Sequence, residues 1–397
     1  MIVHLLKISL KYIYITLIFI VQSNLLSMEK QKIILIHGFM GWGESEMGNY
    51  HYWGGHIDIE SYLRSEGFEV HAISVGPISS NWDRAVEAYF KIKGGQVDYG
   101  ATHSSKYNLI QKPEGKFYKG IHPNWGSDNP IHIITHSQGG QTARMLEYLL
   151  FNEFESEKSN LFTNSNRGWI KSITTISCPH NGTVLADEIS NSLPFLQKMT
   201  PFFGILDNSW TENIFNFDLE QWDINRKENE SMSDFINRIS ESDLKKSKNF
   251  SAWDLSVEGA QYFNDIYMTD PDVYYFSYLT YSSTVLSNGN HIPDNSMSPL
   301  LWVPSLIIGR SNKVDNSWHL NDGIVSTTSM KYPVNSNGIS APNKIFDKSD
   351  IEKGTWQVIE PINKDHQYML GHRITGVDDK ELKDFYYNIC KRIYLLD

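Results

Sequence analysis

The sequence predicts an α/β fold in which helices cover both faces of a mostly parallel sheet. Short apolar runs alternate along the chain with segments of helical periodicity, a pattern typical of parallel strands joined by crossover helices. The predicted strands are residues 33–36, 68–73, 131–135, 171–177 and 274–279. The predicted helices are residues 58–65, 83–93, 138–150 and a last one through 382–393.

Boundary residues support these elements. Gly67 ends the first helix, while Asn81 can cap the second and Gly94 stops it. In the helix at residues 138–150, Thr142, Met145, Leu146 and Leu149 share one face. Leu382, Phe385, Tyr386, Ile389 and Ile393 follow helical spacing in the last helix.

The composition is that of an acidic globular protein. Of 397 residues, 35 are Lys or Arg and 46 are Asp or Glu, which gives a formal net charge of −11. No basic run stands out, so we expect no nucleic-acid partner and no tight electrostatic docking on anionic membranes. Cys178 and Cys390 could form one disulfide, but two cysteines encode no dense disulfide framework.

The N-terminus has the pattern of a secretory signal peptide. Two lysines precede the apolar run at residues 12–21, and the polar segment 22–24 follows it. Because this run is too short for a comfortable bilayer crossing, we predict a signal peptide at residues 1–27, a secreted or extracytoplasmic protein and no stable membrane span. The alternatives are an uncleaved anchor that recruits residues from Leu5 onward, and a true start codon at Met28.

Residues 28–397 are predicted to form a single domain with an insertion at about 181–260. This segment is rich in Asn, Ser and acidic residues and breaks the strand–helix alternation. It also carries an apolar stretch at residues 193–206, interrupted by Pro194 and Pro201. We interpret the segment as an insertion and not as part of the sheet.

The segment IHIITHSQGG at residues 131–140 indicates a nucleophile. A predicted strand runs into Ser137 and a helix follows at once, which is the setting of a nucleophile elbow. Gly139 allows close backbone approach, and the helix N-terminus offers N–H groups to an oxyanion. Thr135 stands where the usual elbow has glycine. A Ser–Gly turn without chemistry is the alternative, but the flanking strand and helix favour a nucleophile.

The sequence resembles the triacylglycerol lipases of the staphylococcal and thermoalkalophilic Bacillus–Geobacillus type. The resemblance runs from about residue 33 to residue 385, with gaps. It is carried by HGFMGW at 37–42, YWGG at 52–55, SNWDRA at 80–85, GGQVDYG at 94–100, THSQGGQT at 135–142, PHNGT at 179–183, NDGIV at 321–325 and DH at 365–366. It implies an α/β-hydrolase fold with an inserted lid and zinc-type region.

The resemblance implies Asp322 and His366 as the partners of Ser137. The histidine would accept the serine proton, and the carboxylate would orient the imidazole and stabilise its cation. Both follow Ser137 in the order Ser, acid, His that α/β-hydrolases use. The competitors are Asp315, which lacks an adjacent turn-forming glycine, and His372, six residues past His366.

An oxyanion hole needs two backbone N–H donors. The residue after the nucleophile, Gln138, supplies one, and by resemblance Phe39 in the loop after the first strand supplies the other. A simple strand-end turn at residues 37–39 is the alternative. We expect His180 to anchor a loop and His136 to point away from where a base is needed.

The resemblance also implies a structural zinc ion held by two acids and two histidines. Asp83 and His103 match two of these ligands, and Glu220 matches an aspartate. The second histidine position holds Leu109 in this sequence. Since a closed structural zinc site has four ligands, the predicted set of Asp83, His103 and Glu220 is incomplete.

Alternatives for the metal sites stay open. The zinc set could be completed by water, Asp98 or His122, or a buried Asp–His hydrogen bond near a carboxylate could replace the metal. Calcium is not expected. Tyr368 replaces the family's acid two residues after the catalytic histidine, and the family's Gly-Val-Asp lies five residues late, at 376–378.

The sequence therefore predicts a serine ester hydrolase, most directly a triacylglycerol lipase that works through an acyl-enzyme at a lipid–water interface. The apolar stretch at residues 193–206 is interpreted as part of a lid, with an ordinary buried helix pair as the alternative. The other predicted functions are a short-chain esterase, phospholipase or acyltransferase on the same triad, and an inactive hydrolase fold that binds lipid.

Overall fold

The computed structural model describes most of the chain after the predicted leader. The described residues are 31–396 without 45, 164–165, 191–216, 228–229, 243–246 and 373–375. Contacts divide the chain into residues 1–31 and 32–397, and the fold below is that of the second unit. The predicted signal peptide and the apolar stretch at 193–206 lie outside the described residues. None of the helices in the described ranges combines the length and apolar character that a bilayer crossing requires.

Seven parallel strands of the described chain form the central sheet. They are β1 (Ile33–Ile36), β2 (Val70–Ile73), β3 (Ile131–His136), β4 (Ile170–Ile176), β5 (Tyr274–Tyr278), β6 (Asn343–Ile345) and β7 (Trp356–Val358). Their spatial order is β6-β7-β5-β4-β3-β1-β2, and neighbouring strands pair in parallel. Smaller pairings join Gly95–Gln96 to Phe117–Tyr118, Ser283–Val285 to His291–Pro293, and Thr280–Tyr281 to Ile362–Asn363.

Helices connect these strands. They are α1 (Ile59–Ser65), α2 (Asn81–Lys93), α3 (Ala101–Tyr107), α4 (Gln138–Phe151), α5 (Asn160–Thr163), α6 (Val184–Ser190), α7 (Met232–Glu241), α8 (Ser251–Asp254), α9 (Val257–Ile266), α10 (Trp302–Ile308) and α11 (Asp379–Ile393). Single 3₁₀ turns lie at Glu220–Trp222, Pro299–Leu301, Asn316–Trp318 and Tyr368–Leu370.

Both faces of the sheet are covered by helices, as predicted. Alternate residues of a strand point to opposite faces, and in β1 Ile33 and Leu35 belong to one apolar cluster while Ile34 and Ile36 belong to the other. Helices α1 and α11 contribute to the first cluster, and α2 and α4 contribute to the second. A strand buried on both faces has a continuous apolar sequence, which explains why the run at residues 33–36 shows no alternation.

The five predicted strands are present, but the two strands at one end of the sheet, β6 at its edge and β7 next to it, were missed. β6 is three residues long and largely exposed, and β7 is three residues long. Neither has the apolar run that marks a strand buried on both faces. β6 and β7 are strands because β7 pairs with β5 on one side and with β6 on the other, and no local sequence signal marks either segment.

Other predicted features can be located in the described chain. Leu382, Tyr386, Ile389 and Ile393 are buried on one face of α11, with Phe385 half-buried beside them. The described parts of the segment 181–260 supply helices and no strand of the central sheet. Cys178 and Cys390 are both buried and free, so the structure contains no disulfide between them.

Gly139 provides a test of how closely α4 approaches β1. A Cβ at this position would overlap the backbone oxygen of Ile36 and lie 2.8 Å from the oxygen of His37. We expect Gly139→Ala to lower the free energy of unfolding by about 1–3 kcal/mol, as overpacking does elsewhere. Urea denaturation measures this loss. In the control Gly126→Ala, the nearest atom to the new Cβ is 3.9 Å away, and stability should change little.

Glu147 should make stability fall as pH rises. It lies in α4, accepts a hydrogen bond of 2.7 Å from the Tyr275 hydroxyl, and burial raises its pKa to about 8. Because the folded state holds this proton more tightly than the unfolded state, its contribution is full below pH 4.5 and is lost between about pH 4.5 and 8. We expect Glu147→Gln to flatten this part of the stability–pH curve, measured by urea denaturation. An unchanged slope would contradict the prediction.

Candidate active site

Ser137 occupies the strained turn between β3 and α4. Its φ and ψ are +54° and −129°, which a residue with a side chain rarely adopts. The Ser137 N–H donates to the Ile176 oxygen over 2.9 Å, so β4 helps to hold the turn. Gly38 lies against it, because a Cβ on Gly38 would be 2.7 Å from the Ser137 Cβ. The elbow geometry that the sequence predicts is therefore present.

Asp322 and His366 meet although 44 residues separate them. The His366 Nδ1–H donates to Asp322 Oδ2 over 2.7 Å, and both side chains are almost fully buried. The His366 backbone N–H also donates to the Asp322 carbonyl over 3.0 Å. With its Nδ1 proton engaged in this way, the neutral imidazole presents an unprotonated Nε2, which is the state required of a general base.

The Asp322 carboxylate is held by several donors. Its Oδ1 accepts from the N–H groups of Ile324 and Val325 over 3.1 and 2.9 Å, and its Oδ2 also accepts from the Thr280 hydroxyl over 2.8 Å. These bonds fix the position of the carboxylate beside the His366 ring, where its negative charge can stabilise a histidine cation. Sequence reasoning missed Thr280, because a threonine at the end of a strand gives no local signal of this contact.

His366 lies beside the residue that precedes Ser137. The rings of His136 and His366 are 4.6 Å apart between centroids, and His136 Nε2 is 3.1 Å from the His366 carbonyl oxygen. No direct hydrogen bond joins the Ser137 hydroxyl to the His366 ring in the described part of the chain. Catalytic hydrogen bonds are often long without substrate and tighten in the substrate complex.

The proposed oxyanion donors flank this turn. Gln138 is the first residue of α4, so its N–H has no partner within the helix. Its side-chain amide donates to Ser251 Oγ and Asn81 Oδ1 over 3.0 and 3.2 Å, which anchors the helix start. Phe39 is buried in the loop after β1, directly after Gly38. The structure thus brings both predicted donor residues to the segment around Ser137.

Arg84 is a second residue that sequence reasoning missed. This fully buried guanidinium donates to the His37 and Gly76 carbonyls and, over 2.8 Å, to the Thr142 hydroxyl. It therefore links the loop before Phe39 to Thr142, near the start of α4. Burial lowers its pKa to about 10, so it stays charged at neutral pH and adds positive potential near the oxyanion site.

The competing candidates have other partners. Asp315 caps the 3₁₀ turn at Asn316–Trp318 and accepts from the Ser317 N–H over 2.8 Å. His372 stacks on Trp42 with a centroid distance of 5.2 Å. His180 anchors a loop, as predicted: its ring contacts Thr175, and its carbonyl accepts from Asn264 over 3.0 Å.

Asp83 and His103 are together, but as a hydrogen-bonded pair. His103 Nε2–H donates to Asp83 Oδ1 over 2.9 Å, and the Asn249 amide donates to the other carboxylate oxygen over 2.9 Å. Trp82 stacks on the His103 ring at 4.7 Å, which further fixes its orientation. Both carboxylate oxygens of Asp83 are thus occupied by protein donors.

Glu220 pairs with a lysine ammonium. Lys116 Nζ is 3.3 Å from Glu220 Oε2 and 2.8 Å from Glu87 Oε1, and the lysine is almost fully buried. A buried ammonium next to Glu220 would repel a metal cation held by the same carboxylate. Asp98 pairs with Lys112, so it does not supply the missing ligand.

The described residues therefore do not fit the four-ligand zinc site that the resemblance implies. His122 donates to the Asn129 carbonyl, and Leu109 brings no ligand atom. Within the described ranges, no group of three or more His, Cys, Asp and Glu side chains could hold a metal. Zinc binding stays a prediction of the resemblance. In the calcium region, Asp378 caps α11 and the Tyr368 hydroxyl donates to Glu381.

A cavity with a volume of about 430 Å³ lies away from the predicted triad. It is lined by residues of α2, α3, α4 and α9, with Trp82, Tyr148 and Phe263 among its walls. Ser137, Asp322 and His366 do not line it. His103 does, so the cavity reaches the histidine of the Asp83–His103 pair.

Comparisons with known proteins assign the family. The model of the family described as "Lipase-like, C-terminal domain" matches residues 29–395. A "Lipase" of Staphylococcus hyicus is 34% identical over 377 residues, which cover 91% of this chain and 57% of the relative. "Lipase 2" of Staphylococcus aureus is 35% identical over 379 residues, covering 91% of this chain and 54% of the relative. The chain thus spans little more than half the length of these relatives.

Solved structures share the fold. The Staphylococcus hyicus lipase superposes with a TM-score of 0.80 at 33% identity, covering 93% of this chain and 96% of that one. EstA from Clostridium botulinum gives a TM-score of 0.83 at 33% identity, with 93% and 88% covered. Lipase 1 from Pelosinus fermentans gives 0.79 at 35% identity, with 93% and 100% covered.

The arrangement of Asp83, His103 and Glu220 predicts that zinc does not stabilise the protein. A metal bound only by the folded state at a hundred times its Kd would add about 2.7 kcal/mol. We expect chelator-treated protein and the same protein with added Zn²⁺ to unfold at the same temperature in calorimetry. His103→Gln should lower that temperature equally under both conditions, and a zinc-dependent rise lost in this variant would contradict the prediction.

Proposed function

The chain belongs to the lipase-like C-terminal domain family, and from this premise we propose that it hydrolyses carboxylic esters, with triacylglycerols as the substrate class. The relatives named lipases, which match 91% of the chain, support this substrate class. The single observation that carries the proposal is the buried hydrogen bond between Asp322 and His366, beside the turn that presents Ser137.

In the proposed reaction, Ser137 attacks the ester carbonyl while His366 Nε2 takes its proton. Asp322 orients the imidazole and stabilises the cation that forms. The alcohol leaves with the proton from His366, and an acyl group remains on Ser137. Water then attacks the acyl-enzyme with His366 again as base, which releases the fatty acid and restores the serine.

The negative charge of each tetrahedral intermediate would be stabilised by the N–H groups of Phe39 and Gln138. Loss of one such donor costs about 3 kcal/mol in activation free energy. The Arg84 guanidinium holds the carbonyls before Phe39 and lies in a water-excluded environment, where its charge acts over a longer range than in solvent.

The proposal places this reaction at a lipid–water interface outside the cytoplasm. The leader pattern of residues 1–27 supports export, and the apolar stretch at residues 193–206 supports a lid that opens against lipid. An ester series of increasing acyl length, offered dissolved and as emulsion, distinguishes a triacylglycerol lipase from a short-chain esterase or a phospholipase.

We expect Ser137→Ala to abolish both p-nitrophenyl ester hydrolysis and covalent labelling by a fluorophosphonate, because it removes the nucleophile. The control Ser105→Ala changes an exposed serine on α3 and should retain both. Mass spectrometry of the labelled peptide locates the adduct. Absence of labelling in folded wild-type protein would favour a lipid-binding fold without catalysis.

Asp322→Asn should lower kcat by about 10⁴-fold while the protein stays folded, because the amide would favour the wrong imidazole tautomer. The control Asp315→Asn, on the exposed turn at Asn316–Trp318, should keep wild-type kcat. Steady-state kinetics with a soluble ester measure the ratio. A reduction below 10-fold in Asp322→Asn would contradict its role as the acid.

A further inference from the structure

Tyr52 and His136 form a buried hydrogen-bond chain between two parts of the proposed active site. The Gly38 N–H donates to the Tyr52 oxygen over 2.8 Å, and that oxygen is 2.9 Å from His136 Nδ1. On the other side of its ring, His136 Nε2 is 3.1 Å from the His366 carbonyl oxygen. All these side chains are buried.

The groups at the two ends of this hydrogen-bond chain determine which atom carries the proton in each of its bonds. A backbone N–H can only donate, so Tyr52 accepts from Gly38 and has its own proton to give to His136 Nδ1. A carbonyl oxygen can only accept, so His136 Nε2 carries a proton and donates it to His366. The neutral ring has one proton and therefore satisfies both contacts in only one tautomer.

The buried surroundings keep this arrangement from titrating. Desolvation, and then the neighbouring His366, lower the pKa of His136 well below its usual value, so the ring stays neutral. Burial raises the pKa of the Tyr52 phenol, which therefore keeps its proton. The groups that face His136 are Tyr52, His366 and His372, and none of them supplies a negative charge at neutral pH that would stabilise an imidazolium.

We propose that Tyr52 and His136 are positioning residues that hold the oxyanion loop and the catalytic histidine at a fixed separation. One end of their chain is the Gly38 amide, one residue before the proposed donor Phe39. The other end is the backbone of His366. Since His136 is the last residue of β3 and Ser137 follows it directly, the same link sets the loop and the base relative to the nucleophile.

This proposal rests on the proposed function and adds to it how the site is pre-organised. A displacement of a fraction of an ångström in an oxyanion donor weakens its bond to the transition state more than its contact with the substrate. Loss of the link should therefore lower kcat and leave KM nearly unchanged. A general loss of packing would lower stability without this selectivity.

The first test compares Tyr52→Phe with Tyr50→Phe using a soluble p-nitrophenyl ester. We expect Tyr52→Phe to lower kcat about 10-fold with KM within threefold, and to weaken inhibition by an alkyl boronic acid, a tetrahedral analogue, by a similar factor. Tyr50 also packs on Trp42 and His372, and its substitution should change kcat less than twofold. Wild-type kcat in Tyr52→Phe would overturn the proposal.

The second test is whether the two residues act as one link. His136→Asn keeps an acceptor near Tyr52 but is too short to reach the His366 carbonyl. If the hydrogen-bond chain acts only when it is intact, kcat should fall about 10-fold in each single variant, Tyr52→Phe and His136→Asn. The double variant should then also lose only about 10-fold. A double variant with the product of the two losses, about 100-fold, would show independent effects and overturn the proposal.

The third test needs no catalysis and remains available if a variant fails to fold. In histidine-labelled Ser137→Ala protein, ¹⁵N NMR should show His136 with a bare Nδ1 and a protonated Nε2 at every pH from 6 to 9. The same labelled protein carrying His136→Asn identifies the signal. A protonated Nδ1, or a ring that titrates near pH 6.5, would overturn the proposal.

The experiments distinguish failure of the proposed ester hydrolysis from failure of the positioning role of Tyr52 and His136. If wild-type protein is not labelled by a fluorophosphonate, the proposed function fails, whatever tautomer His136 has. If it is labelled while Tyr52→Phe retains wild-type kcat, only the positioning role of Tyr52 and His136 fails.

Discussion

The parallel pairing of β3 between β1 and β4 is the constraint on which the proposed site depends. Thr135 pairs with Ile36 of β1 and with Thr175 of β4, so the carboxyl ends of three strands lie at one edge of the sheet. The elbow at Ser137 and the loop at Gly38 both leave from that edge. Backbone pairing therefore supports a turn whose dihedral angles would be unfavourable in isolation.

The two buried charged groups near this edge, the Asp322 carboxylate and the Arg84 guanidinium, are held by hydrogen bonds to the backbone as well as to side chains. The Asp322 carboxylate accepts from two backbone N–H groups, from Thr280 and from His366, and the Arg84 guanidinium donates to two carbonyls. Burying either charge without these partners would be costly. The same bonds restrict motion, so the site is held in shape before substrate arrives.

In the region where the resemblance implies a zinc ion, the expected ligands interact with other protein groups. Asp83 and His103 lie together as implied, but Asn249 and His103 donate to the Asp83 carboxylate and Lys116 pairs with Glu220. Leu109 removes a ligand atom from this region. Hydrogen bonds and an ammonium group thus connect α2, α3 and the turn at Glu220–Trp222.

The sequence by itself determined five strands of the central sheet, four of the helices and the turn at Ser137, because apolar runs, helical periodicity and the Ser–Gly turn are local signals. Asp322 and His366 were predicted only through the resemblance, since residues 44 apart carry no local sign of contact. Tertiary structure alone decided strands β6 and β7, the roles of Thr280 and Arg84, and the hydrogen bond between Tyr52 and His136. Each depends on partners that are distant along the chain and that meet only when the sheet has formed.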